Sequence, residues 1–117
     1  MKKISIAVAG AGGRMGRRVL TLAAGDSDFQ IVGALEREDA SVLGNDVGAL
    51  IAGPSVGVKV TAHLEDAIEG AQVLIDFTHP SAAEDHIKGA LKNGTALVIG
   101  TTGLPEKTLQ ALKQASH

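Results

Sequence analysis

Between Gly10 and Gly16 the chain reads Gly-Ala-Gly-Gly-Arg-Met-Gly, directly after the short apolar run Ile4-Ser5-Ile6-Ala7-Val8-Ala9. Backbone N–H groups without a nearby Cβ can approach a pyrophosphate closely. The positive end of a helix starting there adds electrostatic attraction. Gly10, Gly13 and Gly16 match a form one residue longer than G-x-G-x-x-G. Gly10 would make the tight turn, Gly13 would lie under the phosphates and Gly16 would let the helix pack on the strand. No Gly-Lys-Ser/Thr follows, so this is not a mononucleotide P-loop.

Glu36 stands twenty residues after Gly16, where an acidic side chain ending the second strand can accept hydrogen bonds from ribose hydroxyls. Arg37 follows it, and Arg14 lies in the glycine turn. A guanidinium can pair with a 2′-phosphate or stack on adenine. Glu36 favours NAD and Arg37 favours NADP, so the pair points to tolerance of both. Two further segments, Phe77-Thr78-His79-Pro80 and Gly100-Thr101-Thr102-Gly103, fall where strands should end and could line the nicotinamide half of a dinucleotide. Asp76 is open to two readings, a general base or, the favoured one, a hydrogen-bonded carboxylate that fixes the neighbouring loop. His63, His79, His86 and His117 read as surface histidines. They lack metal-ligand spacing, so no metal is expected. Ser81 has no triad partners and reads as a helix cap.

The elements that must position these residues follow from periodicity. Ile4 to Ala9 is a strand buried on both faces. Met15, Val19, Leu22 and Ala23 give a helical stripe ended by Gly25 and Asp26. Gln30 to Leu35 reads as a second strand. Residues 36 to 57 form a polar connection with a helical turn near Val47 to Ile51. Val58 to Val60 reads as a third strand, followed by a short helix capped near Thr61 and carrying Leu64, Ala67 and Ile68. Gln72 to Phe77 is the fourth strand. A helix with the capping-box spacing Ser81 to Glu84 presents Ala83, Ile87, Ala90 and Leu91 and stops at Asn93-Gly94. Thr95 to Ile99 is the fifth strand, and Pro105 opens a last helix with Leu109 and Leu112. Alternation of this kind predicts an α/β fold, a Rossmann-type doubly wound parallel sheet of about five strands in three layers, as one domain over residues 1–117.

Composition narrows the function classes. The 117 residues carry 11 basic and 13 acidic side chains, for a net charge of −2, so no basic surface is available to wrap nucleic acid. Cysteine, tryptophan and tyrosine are absent, which removes thiolate chemistry and aromatic stacking platforms. The apolar run after Lys2-Lys3 is only six residues long, too short for a secretory signal, and no window reaches the roughly 18 residues of a membrane span. A cytoplasmic location with no membrane partner is expected.

Ala9 to Gly16, Glu36-Arg37, Leu74-Ile75-Asp76-Phe77-Thr78 and Gly100 to Gly103 resemble, in order and spacing, the amino-terminal part of the 4-hydroxy-tetrahydrodipicolinate reductase family. The resemblance spans essentially the whole chain. It implies a reductase of the diaminopimelate route to lysine, acting on a cyclic dicarboxylate with NADH or NADPH. It implies that Gly10, Ala11, Gly12, Gly13, Arg14 and Met15 wrap the pyrophosphate, that Glu36 holds the adenosine ribose and that Arg37 approaches a 2′-phosphate. Gly100, Thr101 and Thr102 would flank the nicotinamide, Thr102 also meeting a substrate carboxylate. His79 stands where some members carry Arg before the proline, which removes a permanent charge there. The family's second domain supplies the paired-histidine proton donor, most substrate contacts and a tetramer-forming sheet, and nothing in this chain matches it. The expectation is therefore a cofactor domain, compatible with a monomer, that binds dinucleotide without turnover and has no catalytic residue of its own. A stand-alone dinucleotide sensor, or the cofactor domain of another amino-acid-route dehydrogenase such as aspartate dehydrogenase, is the alternative.

Overall fold

In a computed structural model, residues 3–78, 80–99 and 105–115 are described. The chain runs β1 (Ile4–Ala9), α1 (Arg14–Ala24), β2 (Phe29–Leu35), α2 (Val47–Leu50), α3 (Leu64–Ile68), β3 (Val73–Asp76), α4 (Pro80–Asn93), β4 (Ala96–Ile99) and α5 (Pro105–Ala115). All strand pairs are parallel, in the order β2-β1-β3-β4. The chain leaves β1 toward β2 on one side, then returns to place β3 on the other. The carboxyl ends of β1 and β3 therefore flank a topological switch point, where open α/β sheets hold ligands.

Side-chain alternation along each strand splits the core into two layers. Ile6, Val8, Phe29, Ile31 and Ile75 face α1, α2 and α5, with Val19, Leu20, Val47 and Leu109 packed among them. Ala7, Ala9, Leu35 and Leu74 face Ala67 and Ile68 of α3 on the other side. Fully buried side chains such as Ile6, Leu20, Leu74 and Ile75 each contribute roughly 1.5–3 kcal/mol of burial free energy. On α1 the fully inward stripe is Gly16, Val19, Leu20 and Ala23, and Leu22 packs partly buried against the same core. Lys113 of α5 bonds Asp26 at 2.5 Å and Asp28 at 3.4 Å, fastening that helix beneath the α1–β2 corner.

The sheet has four strands among the described residues, and the expected strand Val58 to Val60 is not one of them. It makes a single bridge, Lys59 with Asp46, and the next bridge, Thr61 with Leu35, lies just beyond it. Gly57 at φ +83° turns the chain just before it, leaving too short a run to form a ladder. The Asp46 carboxylate organises this connection by accepting from the N–H groups of Gly48 (2.7 Å), Val56 (2.8 Å) and Gly57 (2.8 Å). The expected helical turn is present as α2, which Asp46 caps. The cap of α3 is His63 rather than Thr61, whose hydroxyl accepts from the His63 N–H. Helix α4 begins at Pro80, which places Ser81 inside its first turn rather than at a cap. No helix among the described residues is long and apolar enough to cross a membrane.

Candidate functional site

A cleft of about 600 Å³ opens at the carboxyl ends of β1, β2 and β3. Gly10 and Gly13 form its floor, Glu36 and Arg37 one wall, and Phe77 and Thr78 the opposite lip. Six expected site residues from three separate chain segments therefore meet in one place. The join is made by backbone: Gly10 and Ala11 donate their N–H groups to the Leu35 carbonyl, and Phe77 donates to that of Ala9.

The glycines act by what they leave out. Gly10 lies at φ +78°, a conformation that only glycine adopts without strain. Gly16 sits so close to the turn that a Cβ there would come within 2.1 Å of the Gly10 carbonyl oxygen. A Cβ on Gly13 would meet only the Gly10 carbonyl oxygen, at 3.5 Å, an ordinary van der Waals contact. No side chain caps α1, and the N–H groups of Arg14, Met15 and Gly16 have no acceptor within the helix. An anion such as a pyrophosphate fits this uncapped end, which supplies both donors and the positive end of the helix dipole. Ala11 is fully buried and contributes backbone only.

Glu36 is half-buried, and its Oε2 accepts from the Gly12 N–H at 2.7 Å while Oε1 accepts from the Arg37 N–H at 3.2 Å. It thus ties the end of β2 to the glycine turn. The Arg37 guanidinium lies 3.6 Å from Asp39, both side chains about four-fifths exposed. An exposed pair of this kind is weak, and it leaves Arg37 able to swing toward a ligand. Gly100, Thr101, Thr102 and His79 lie outside the described residues.

One residue corrects the sequence reading. His86 is a buried side chain, not a surface one, and it lines the cleft together with Leu64, Ala82 and Asp85. Its Nδ1 lies 2.6 Å from Asp76 Oδ2, while the Thr78 hydroxyl and N–H both donate to Asp76 Oδ1 at 2.5 and 2.8 Å. His86 stands one helical turn before the buried Ala90, so the two share the inner face of α4, while Ile87 is exposed. Leu91, read as inward, is 76% exposed. Among the described residues, no group of three or more His, Asp or Glu side chains is placed to hold a metal ion.

Burial pushes the Asp76 carboxyl up, but the bonds from His86 and Thr78 outweigh it and hold it below the usual carboxylate range. An ionised carboxylate only accepts, so His86 Nδ1 carries the hydrogen and Nε2 is left as the ring's other polar atom. The favoured reading of Asp76, a carboxylate fixing the adjacent loop, agrees with this geometry. Because the folded-state value is depressed, the stability Asp76 contributes is complete above the free-aspartate value near pH ~4 and is lost as pH falls through the folded value. Asp76→Asn is expected to cost about 1–3 kcal/mol at neutral pH, with a smaller further loss on acidification than the unaltered protein shows. Urea unfolding at about pH 7 and pH 3 checks this, and equal acid losses in both proteins would contradict it.

A parallel α/β sheet with a glycine turn into its first helix and an acidic residue ending its second strand defines the Rossmann-type nucleotide-binding class of domain. Within that class the chain belongs to the family described as dihydrodipicolinate reductase, N-terminus, which matches residues 4–117. The chain is 45% identical over 113 residues to the 4-hydroxy-tetrahydrodipicolinate reductase of Burkholderia lata, covering 97% of this chain and 42% of that one. It is 42% identical to the Acinetobacter baylyi enzyme of the same name, covering 96% and 41%. Among solved structures it superposes on dipicolinate-bound dihydrodipicolinate reductase from Paenisporosarcina sp. TG-14 with TM-score 0.66 and 28% identity, over 93% of this chain and 41% of that one. An amine dehydrogenase from Mycobacterium smegmatis shares the fold at TM-score 0.66 and 20% identity, covering 97% of this chain and 36% of that one. The chain thus spans about two-fifths of the length of the curated relatives it matches.

Proposed function

We propose that this chain is the NAD(P)H-binding domain of a 4-hydroxy-tetrahydrodipicolinate reductase in the cytoplasmic diaminopimelate route to lysine. The observation that carries the reading is the convergence of the glycine turn, Glu36-Arg37 and Phe77-Thr78 on one cleft at the switch point of the sheet. The uncapped amides of Arg14, Met15 and Gly16 would receive the pyrophosphate. Glu36 would accept from the adenosine ribose hydroxyls, and Arg37 would meet a 2′-phosphate when one is present. The dihydronicotinamide, when bound, supplies the hydride that reduces a cyclic dicarboxylate. By resemblance, Gly100, Thr101 and Thr102 border that reacting end, with Thr102 against a substrate carboxylate. The proton donor and most substrate contacts belong to the family's second domain, as does its tetramer interface, so residues 1–117 act as one domain that binds without turning over.

Calorimetric titration with NADH and with NADPH tests this reading. Dissociation constants within about tenfold of each other, a difference below about 1.4 kcal/mol, are expected from a site in which Glu36 and Arg37 share the adenosine end. Absence of binding to either at millimolar concentration would overturn it.

A further inference from the structure

The Gly12 peptide of the glycine turn is held by Arg17 of α1. Gly12 has no side chain to anchor it, yet both polar atoms of its backbone are engaged. Its N–H donates to Glu36 Oε2 at 2.7 Å, and its carbonyl accepts from Arg17 Nε at 2.8 Å. The same guanidinium donates from Nη1 to the carbonyl of Leu50, the last residue of α2, at 3.2 Å. The Arg17 backbone N–H bonds the Gly13 carbonyl at 3.0 Å. Arg17 therefore joins the turn, the first helix and the long connection between β2 and α3. A turn with four glycines among seven residues loses much conformational freedom on ordering, and whatever orders it before the ligand arrives raises affinity.

We propose that Arg17 is a positioning residue of the dinucleotide site. It acts through the Gly12 peptide to preset the pyrophosphate turn and does not itself touch the ligand. Planarity is essential to the role, because a guanidinium can donate to two carbonyls in fixed directions and an ammonium cannot match that fork. This inference rests on the dinucleotide reading and specifies which residue outside the contact set governs its affinity.

The test compares Arg17→Met and Arg17→Lys with the unaltered chain, using calorimetry with ADP-ribose, which carries the pyrophosphate, and adenosine 2′-monophosphate, which lacks it. Both variants are expected to bind ADP-ribose about tenfold or more weakly, with adenosine 2′-monophosphate affinity held within about twofold. Equal weakening for the two ligands would show a general structural role, and full rescue by lysine would show a plain charge effect. Either result overturns the proposal, as does unchanged ADP-ribose binding. Amide hydrogen exchange without ligand separates this from the reading beneath it: in Arg17→Met, exchange at Gly12 and Gly13 is expected to accelerate at least about tenfold. If the unaltered chain binds neither ligand, the dinucleotide reading fails. The exchange rates then still uphold or overturn Arg17 as the residue that orders the turn.

Discussion

Gly16→Ala is expected to lower the thermal midpoint by about 10 °C or more and to abolish measurable NADH binding. An alanine in a helix interior would ordinarily gain about 1 kcal/mol over glycine. Here its Cβ would lie 2.1 Å from the Gly10 carbonyl oxygen and 2.9 Å from the Ala11 Cα, both backbone atoms. Neither can yield easily, because Gly10 is fixed at φ +78° and its N–H is held by the Leu35 carbonyl. Helix α1 must then back away from β1, opening the core around Val19 and Leu20 and moving the uncapped amides from the cleft. Overpacking against a rigid backbone costs about 3 kcal/mol or more, which corresponds to that shift in midpoint for a domain of this size. Gly25→Ala is the control. The nearest atom to its added Cβ is 3.7 Å away, so it is expected to be neutral or slightly stabilising. Circular dichroism melting of both variants checks the pair, and a Gly16→Ala midpoint within about 2 °C of the parent would contradict the packing argument.

Gly33→Ala is expected to destabilise at least as strongly, by about 3 kcal/mol or more, although it lies outside the cleft. A Cβ there would come within 1.7 Å of the Ala67 carbonyl oxygen and 2.6 Å of the Ala67 carbonyl carbon. The cause is a register shift between β1 and β2: Ile6 pairs with Ile31 but Ala7 pairs with Gly33, leaving Val32 extra. That bulge turns Gly33 toward α3, and the helix backbone packs directly on the strand. With alanine in place, α3 must lift from β2 and Leu35, which disturbs Glu36 one residue further on. Urea unfolding measures the loss. A midpoint close to the parent's would mean that α3 is not seated on the strand as described.

What could be read from the sequence shares one property: its cause is local. The β-branched run of β1, the glycines after it, Glu36 after β2 and Pro105 at the start of α5 each carry their meaning within a few residues. Gly33 does not, because its role depends on the backbone of Ala67, a residue of α3 far along the chain. Nor does the 36–63 connection, where Val58 to Val60 has strand-like side chains but its backbone hydrogen bonds go to Gly44, Asn45 and Val47 of the preceding loop and turn. His86 was partly legible, since a rotation of the α4 stripe by one position turns it inward. What drew it in is Asp76, ten residues earlier. Nothing in the sequence marks Arg17 for its role, and only the folded turn shows that two carbonyls converge on it.

An amide-resolved NMR titration of the labelled 117-residue chain with NADH addresses the central claim most directly, that a dinucleotide lies across the cleft with its pyrophosphate on the glycine turn. The account predicts saturable shifts concentrated at Gly12 to Gly16, Glu36, Arg37, Phe77 and Thr78, with little change near Asp26 and Lys113 at the far end of the sheet. Saturable shifts centred away from the glycine turn, or none at millimolar NADH, would contradict it.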